Sequence, residues 1–183
     1  MTIQIDSREK ARAIRQIVAD FDRMNVTHFV SKLPVADYMN LDNPRLVIDR
    51  KQNLAEVAVN LSDVPKKDKD GRFKRDIQGK PLSEWNRINR ELQRAHELGI
   101  QMIFLVEHGR SIRSLSDVRK WVNPRLKEHP LTMSGERLYR RMDVLERKYG
   151  VRWEFCEKKN TARRIVELLG GVDQSRDTAT TAL

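Results

Sequence analysis

The sequence predicts a mixed α/β fold, a central sheet flanked by helices, in one domain over residues 1–171. Three observations predict it. Stretches with strand-like and helix-like apolar spacing follow one another along the chain, without any internal repeat. The run Met102-Ile103-Phe104-Leu105-Val106 has no polar alternation, as expected of an inner strand covered on both faces. At 183 residues the chain is long enough for a single domain with a real core.

Ile3 and Ile5 mark a first strand that delivers Asp6, Arg8 and Glu9 to its C-terminal end. Ala11, Ile14, Val18 and Phe21 recur at helical spacing, with Ser7 available as a cap. Val26 to Leu33, Asp37 to Leu41 and Arg45 to Asp49 read as three successive strands, broken by Pro34 and by an Asp42-Asn43-Pro44 turn. Asn53 caps a short helix to Leu61. Residues 65–81, rich in Lys, Arg, Asp and Gly, offer little to bury and are expected to be an exposed, mobile loop. Trp85, Ile88, Leu92 and Ala95 form the next helical stripe, ended by Gly99 in a left-handed cap. After the inner strand come a short helix from about Ser116 to Trp121 and a longer one opened by Ser134 or Gly135. The longer one carries Leu138, Met142, Leu145 and Tyr149. Val151, Trp153 and Phe155 alternate with polar residues, the pattern of a half-buried strand near a sheet edge. Asn160 caps a last helix that Gly170-Gly171 ends, and residues 172–183 are expected to be a disordered tail.

Composition narrows the function classes. Charged residues make up 34% and the formal net charge is +10, a surplus suited to a polyanionic partner such as nucleic acid. Cys156 is the only cysteine, which excludes a disulfide framework and a cysteine zinc cluster. The longest apolar run is too short to span a bilayer, so no membrane role is expected. The N-terminus has no signal-peptide layout, and an intracellular location is the expectation. Gly79-Lys80-Pro81 fails the phosphate-loop pattern, and His96-Glu97 lacks the second histidine of a zinc protease. His28, His108 and His129 stand alone, and Trp85, Trp121 and Trp153 fall on core periodicities. Glu107 reads equally as an acid supporting a site or as a satisfied strand-end carboxylate.

The chemistry concentrates between Leu33 and Lys51. Asp37 opens one strand and Asp49-Arg50-Lys51 closes the next, so Asp49 and Lys51 share one face. Two carboxylates on neighbouring strands can share a divalent cation, and magnesium binds in this way with water and phosphate completing its shell. Lys51 can orient or deprotonate a water, or stabilise developing negative charge. That is the layout of a metal-dependent phosphodiesterase. Taken alone, an Asp-x-Lys triple is more often a solvated ion pair.

Asp6-Ser7-Arg8-Glu9, Ala36-Asp37-Tyr38 and Asp49-Arg50-Lys51 together resemble the XPF-type structure-specific endonucleases, in which Asp-x-Arg-Glu, Gly-Asp-Tyr and Glu-Arg-Lys occur in this order. The resemblance continues through Arg90-Glu91-Leu92, the strand ending at Glu107, the Ser134 helix and Thr161-Ala162. It implies a restriction-endonuclease-like core. It implies Asp37, Asp49 and Glu9 as metal ligands, with Asp6 completing the catalytic acidic set and Lys51 as the catalytic lysine. Arg8 and Arg50 would position phosphate or brace the carboxylates. The cofactor would be Mg2+, for which Mn2+ can substitute. The substrate would be DNA, in branched, flapped or junction form.

The chain departs from the pattern at Ala36, where glycine is usual, and at Asp49, where glutamate is usual. It departs again at Ala55, where an aspartate would fall, although Glu56 is adjacent. No helix-hairpin-helix module is expected after the nuclease region, so DNA contact is expected to fall to the nuclease face, to a dimer partner, or to Lys66, Lys67, Arg72, Lys74 and Arg75 in the basic loop. The resemblance implies pairing through late elements, and the Leu138–Tyr149 stripe makes a homodimer the expectation. A cytoplasmic or nucleoid-associated enzyme, similar to minimal phage or mobile-element nucleases, is implied. A catalytically weak DNA-binding subunit and an RNA-processing nuclease are the competing readings.

Overall fold

The computed structural model describes residues 1–128 and 132–170; His129 and the expected tail at 172–183 lie outside the described residues. Six strands form one mixed sheet in the order β2-β1-β3-β4-β5-β6. They are β1 (Thr2–Asp6), β2 (Thr27–Ser31), β3 (Tyr38–Asn40), β4 (Asn43–Lys51), β5 (Gln101–Glu107) and β6 (Arg152–Cys156). β1 pairs parallel with β2 and antiparallel with β3; β3 and β4 are antiparallel, while β4, β5 and β6 run parallel. The three successive strands of the sequence reading are therefore not sheet neighbours throughout, because β1 inserts between β2 and β3. Pro34 and the bends after it supply the crossing.

Helices α1 (Ala11–Arg23) and α5 (Thr161–Gly170) cover one face of the sheet; α2 (Leu54–Asn60), α3 (Glu84–Glu97) and α4 (Gly135–Tyr149) cover the other. The unbroken apolar run of β5 serves both layers. Ile103 and Leu105 pack with Ile14, Phe21 and Ile165, whereas Met102, Phe104 and Val106 pack with Leu92, Leu138 and Leu145. Trp153 stacks on Phe104 at 4.4 Å between ring centroids. Each helix buries one stripe because its apolar residues recur at three and four positions. Asn53, Ser83 and Ser134 cap α2, α3 and α4 by accepting backbone N–H bonds. Gly99 and Gly150 take left-handed φ values of 65° and 66° at helix ends, which only glycine adopts without steric cost.

Several expectations are corrected. Lys10, not Ser7, precedes α1, and no side chain caps that helix. The turn after β3 sits at Leu41-Asp42, and β4 already begins at Asn43. The short helix before α4 is a 3-10 turn at Leu115–Lys120. Residues 158–160 form a 3-10 turn running into α5, so Asn160 belongs to that turn. Leu138, Met142, Leu145 and Tyr149 are all buried within the chain's own core, which removes the surface on which the homodimer was argued. No helix among the described residues is long and apolar enough to cross a membrane.

Residues 65–81 are not structureless. Lys66 N donates to Leu82 O, Lys74 N to Lys66 O and Leu82 N to Lys74 O, closing a small ribbon with bridges Lys67↔Phe73 and Arg75↔Pro81. Its two tips are copies of one turn. Asp68 Oδ1 accepts from Asp70 N and Arg72 N at 2.9 Å each; Asp76 Oδ1 accepts from Gln78 N and Lys80 N at 2.9 Å each. Gly71 and Gly79 supply the left-handed residue of each turn, at φ 80° and 76°. The repeat Asp-x-x-Gly-basic lies in the sequence, but reads there as mere polarity.

Candidate active site

Strand register assembles the site. Ile5 faces Tyr38 across β1 and β3, and Tyr38 faces Ile48 across β3 and β4. One residue further, Asp6 N donates to Asp37 O at 2.8 Å, Asp37 N to Ile48 O at 2.9 Å, and Arg50 N to Asp37 Oδ2 at 2.7 Å. Asp6, Asp37 and Asp49 are thereby drawn to one row by backbone pairing, which the Arg50 N bond to the Asp37 side chain reinforces. Like charges set opposite one another on a sheet repel.

The electrostatics follow from that crowding. Burial pushes the Asp37 carboxyl up to about 8, and the charges of Asp49 and Glu9 add to it; Lys51 and the Arg50 amide offset only part. Burial alone would lower the Lys51 ammonium, but Asp49, Asp37 and Glu56 outweigh it and hold its pKa above the ordinary range. Lys51 is ion-paired with Asp49 Oδ1 and lies 5.9 Å from the Phe104 ring centroid, its side chain 12% exposed. A protonated, sheltered ammonium is suited to neutralising charge on a bound oxyanion.

Arg50 points to the opposite face of β4 and is 6% exposed. Its Nη2 donates to Glu9 Oε2 at 2.9 Å and its Nη1 to Glu107 Oε1 at 3.0 Å, and Thr161 Oγ1 donates to the same Glu107 oxygen at 2.9 Å. Of the two roles open to Arg50 this is the brace, and the phosphate-binding assignment is corrected, since a buried guanidinium between two carboxylates cannot reach DNA. Glu107 is the strand-end acid that holds it. Arg8 binds Asp6 through Nε at 2.8 Å and through its terminal nitrogen, and Leu33 O at 3.1 Å. Against the penalty of burial, these bonds hold the Asp6 carboxyl below its usual range. Asp6 is 1% exposed and fully engaged by Arg8, so it anchors the end of β1.

Ala36, where the pattern has glycine, adopts φ 64°, the left-handed region that explains the usual residue. Ala55 lines a groove with Val59, Met133 and Arg137, away from the row. Glu56 accepts from Gln52 N at 2.8 Å, and its charge is felt by Lys51. Two residues on α3 join the site, Arg87, which the sequence reading does not name, and Glu91, which it names only as part of the resemblance. Arg87 lies near enough to Asp49 for their charges to interact, and Glu91 does the same for Arg8. Their mutual pairing at 3.0 Å in an i,i+4 step was the available signal. Lys67, Arg72, Lys74 and Arg75 are exposed on the ribbon, but Lys66 is engaged with Glu84 at 2.5 Å.

The donor set fits a divalent cation. Asp37 and Asp49 face one another with Glu9 close by, and the repulsion that raises Asp37 is what a bound cation would offset. No cluster of three or more His, Cys, Asp or Glu side chains among the described residues is already gathered for a metal. Asp49 is turned to Lys51, and Glu9 is committed through one oxygen to Arg50.

No family model matches the sequence, and no curated protein matches it. Among solved structures the fold is similar to XPF from Aeropyrum pernix, with TM-score 0.59 and 20% identity over 92% of this chain and 63% of that one. It is similar also to XPF from Aeropyrum pernix in complex with DNA, at TM-score 0.57 and 19% identity, with the same coverage. This chain thus spans 63% of the length of the structures it matches, and across nearly all of its own length its α/β core has the fold of XPF from Aeropyrum pernix, consistent with a restriction-endonuclease-like architecture.

Proposed function

We propose that this protein is a magnesium-dependent DNA endonuclease, with Mn2+ able to substitute, acting on branched, flapped or junction DNA. The observation that carries the reading is the row of Asp37 and Asp49 beside a protonated Lys51 on strands held in register. Asp37 and Asp49 would hold the metal, with Glu9 supporting it. When bound, the cation supplies an activated water and charge neutralisation at phosphorus. Lys51 Nζ donates to a non-bridging phosphate oxygen as charge builds there. Arg50 keeps Glu9 aimed at the row through the Glu107–Thr161 anchor, and Asp6 with Arg8 fixes the strand end behind it. The net charge of +10 and the DNA complex of the structural neighbour support nucleic acid as the partner.

A homodimer rests on the resemblance alone, because the α4 stripe is internal. Sedimentation at micromolar concentration with and without junction DNA decides it; a monomer in both conditions dismisses it. The functional test is incubation of purified protein with labelled duplex, flap, fork and four-way junction, with and without magnesium. Cleavage that requires the metal and favours branched DNA is expected. Absence of metal-dependent cleavage of every DNA substrate contradicts the reading.

A further inference from the structure

The solvent face of α3 carries Arg87, Arg90 and Arg94, at spacings that place them on one side of the helix opposite Ile88, Leu92 and Ala95. Arg87 sits at the site end of this stripe, pairing with Glu84 and Glu91 while its charge is felt by Asp49. Arg90 and Arg94 are different. Both are exposed, and neither has an acidic partner among the described residues. The neighbours of Arg90 at three and four positions are Asn86, Arg87, Gln93 and Arg94, so none of them can neutralise it and two repel it. Glu91 is engaged by Arg87, and Glu97 accepts from Gln93 Nε2, so neither forms an ion pair with Arg94. The ordinary outcome on an exposed helix is interleaved acids and bases, as on α4, where Arg140 pairs with Glu136 and Arg147 with Asp143. A helix that keeps three arginines in line beside a crowded acidic row bears a repulsion that a bound polyanion would relieve.

We propose that Arg90 and Arg94, entered from Arg87, form a phosphate track that carries the substrate backbone away from the carboxylates, on the side opposite the 66–82 ribbon. The ribbon leaves the fold at the N-terminus of α3, where Lys66 meets Glu84, and the track runs toward the C-terminus. From Arg87 to Arg94 the helix advances about 10 Å, the axial rise of about three phosphates of one strand in a duplex. An open groove lined by the three arginines with Asn89, Gln93 and Tyr149 follows the same line. DNA held on both sides of the scissile phosphate passes through the site instead of ending at it, which is the requirement for internal cleavage.

The track rests on the reading of this face as DNA-facing, and its test does not depend on hydrolysis. Binding of labelled junction DNA is measured by anisotropy in EDTA between about 50 and 200 mM salt. The wild type is compared with Arg90→Gln/Arg94→Gln and with Arg23→Gln/Arg45→Gln. The latter removes the same charge at the end of α1 and the start of β4, away from the acidic row. The slope of log K against log salt is expected to become shallower by about 1.8 for the track variant, from two lost phosphate contacts, and to stay unchanged for the control. Equal slopes in the two variants overturn the track, whether both fall or neither does. If wild type cuts no substrate yet the slopes differ as expected, the nuclease reading fails and the track stands.

Discussion

Asp37 illustrates how a residue's role is set by its neighbours. An aspartate titrates near 3.9 in an unfolded chain, whereas burial, Asp49 and Glu9 keep Asp37 protonated up to about 8 in the folded protein. The folded state therefore binds more protons between those values, and stability falls as pH rises through that window, levelling above it. Asp37→Asn removes the loss. In EDTA, urea unfolding is expected to show the variant more stable than the parent at pH 8 by at least ~1 kcal/mol, and the gap to shrink toward pH 4. An equal gap at both pH values would mean that Asp37 is not the strained carboxylate. Ala36, one residue earlier, holds φ 64° with its methyl buried. A left-handed L-residue costs roughly 1–2 kcal/mol; glycine would relieve that but lose a buried methyl at about 0.8 kcal/mol and more chain entropy. Ala36→Gly should thus lie within about 1 kcal/mol of the parent by urea unfolding, while Ala36→Val, β-branched at positive φ, should lose about 2 kcal/mol or more. A tolerated valine would show that the turn is not held in that conformation.

At the scale of elements, helices were the most legible, because an amphipathic stripe and a cap leave a pattern in the chain. α2 and α4 lie where Asn53 and Ser134 cap them, and α3 lies on the stripe of Trp85, Ile88, Leu92 and Ala95. Strand existence was legible, but sheet order was not. Nothing local in Ile3-Gln4-Ile5 records that β1 lies between β2 and β3, since strand neighbours are chosen by long-range packing. For the same reason the Asp37–Asp49 proximity could be read from a tight turn, whereas the Arg50–Glu107 brace, fifty-seven residues apart, could not. The turns of the ribbon are not legible as buried pattern, because little in residues 65–81 is apolar. Asp68 and Asp76 order it instead, each gathering two backbone N–H groups. Asp68→Ala/Asp76→Ala should abolish hydrogen-exchange protection at Arg72 and Lys80 while leaving global unfolding within about 0.5 kcal/mol. Unchanged protection would mean that the turns do not depend on the carboxylates. Neutralising Lys67, Arg72, Lys74 and Arg75 should flatten the salt dependence of DNA binding by up to about 0.9 per lost contact; an unchanged slope would leave the ribbon a solvated excursion.

For the whole molecule, the sheet gathers acids at one strand end and leaves bases on the ribbon and on α3. A chain with net charge +10 thus keeps its strongest negative row inside a positive surround. On the proposed reading such a field would draw a polyanion in, and a cation held by Asp37 and Asp49 would offset the repulsion between the two. Structural likeness establishes the fold, and the chemistry rests on Asp37, Asp49 and Lys51. The most direct measurement is magnesium-dependent cleavage of a labelled junction by wild type, Asp37→Ala, Asp49→Ala and Lys51→Ala, with binding of the same DNA followed in EDTA. The account predicts that wild type cleaves and that each variant loses at least about a hundredfold in rate while still binding the junction. Cleavage by Asp37→Ala or Asp49→Ala at the wild-type rate would contradict it.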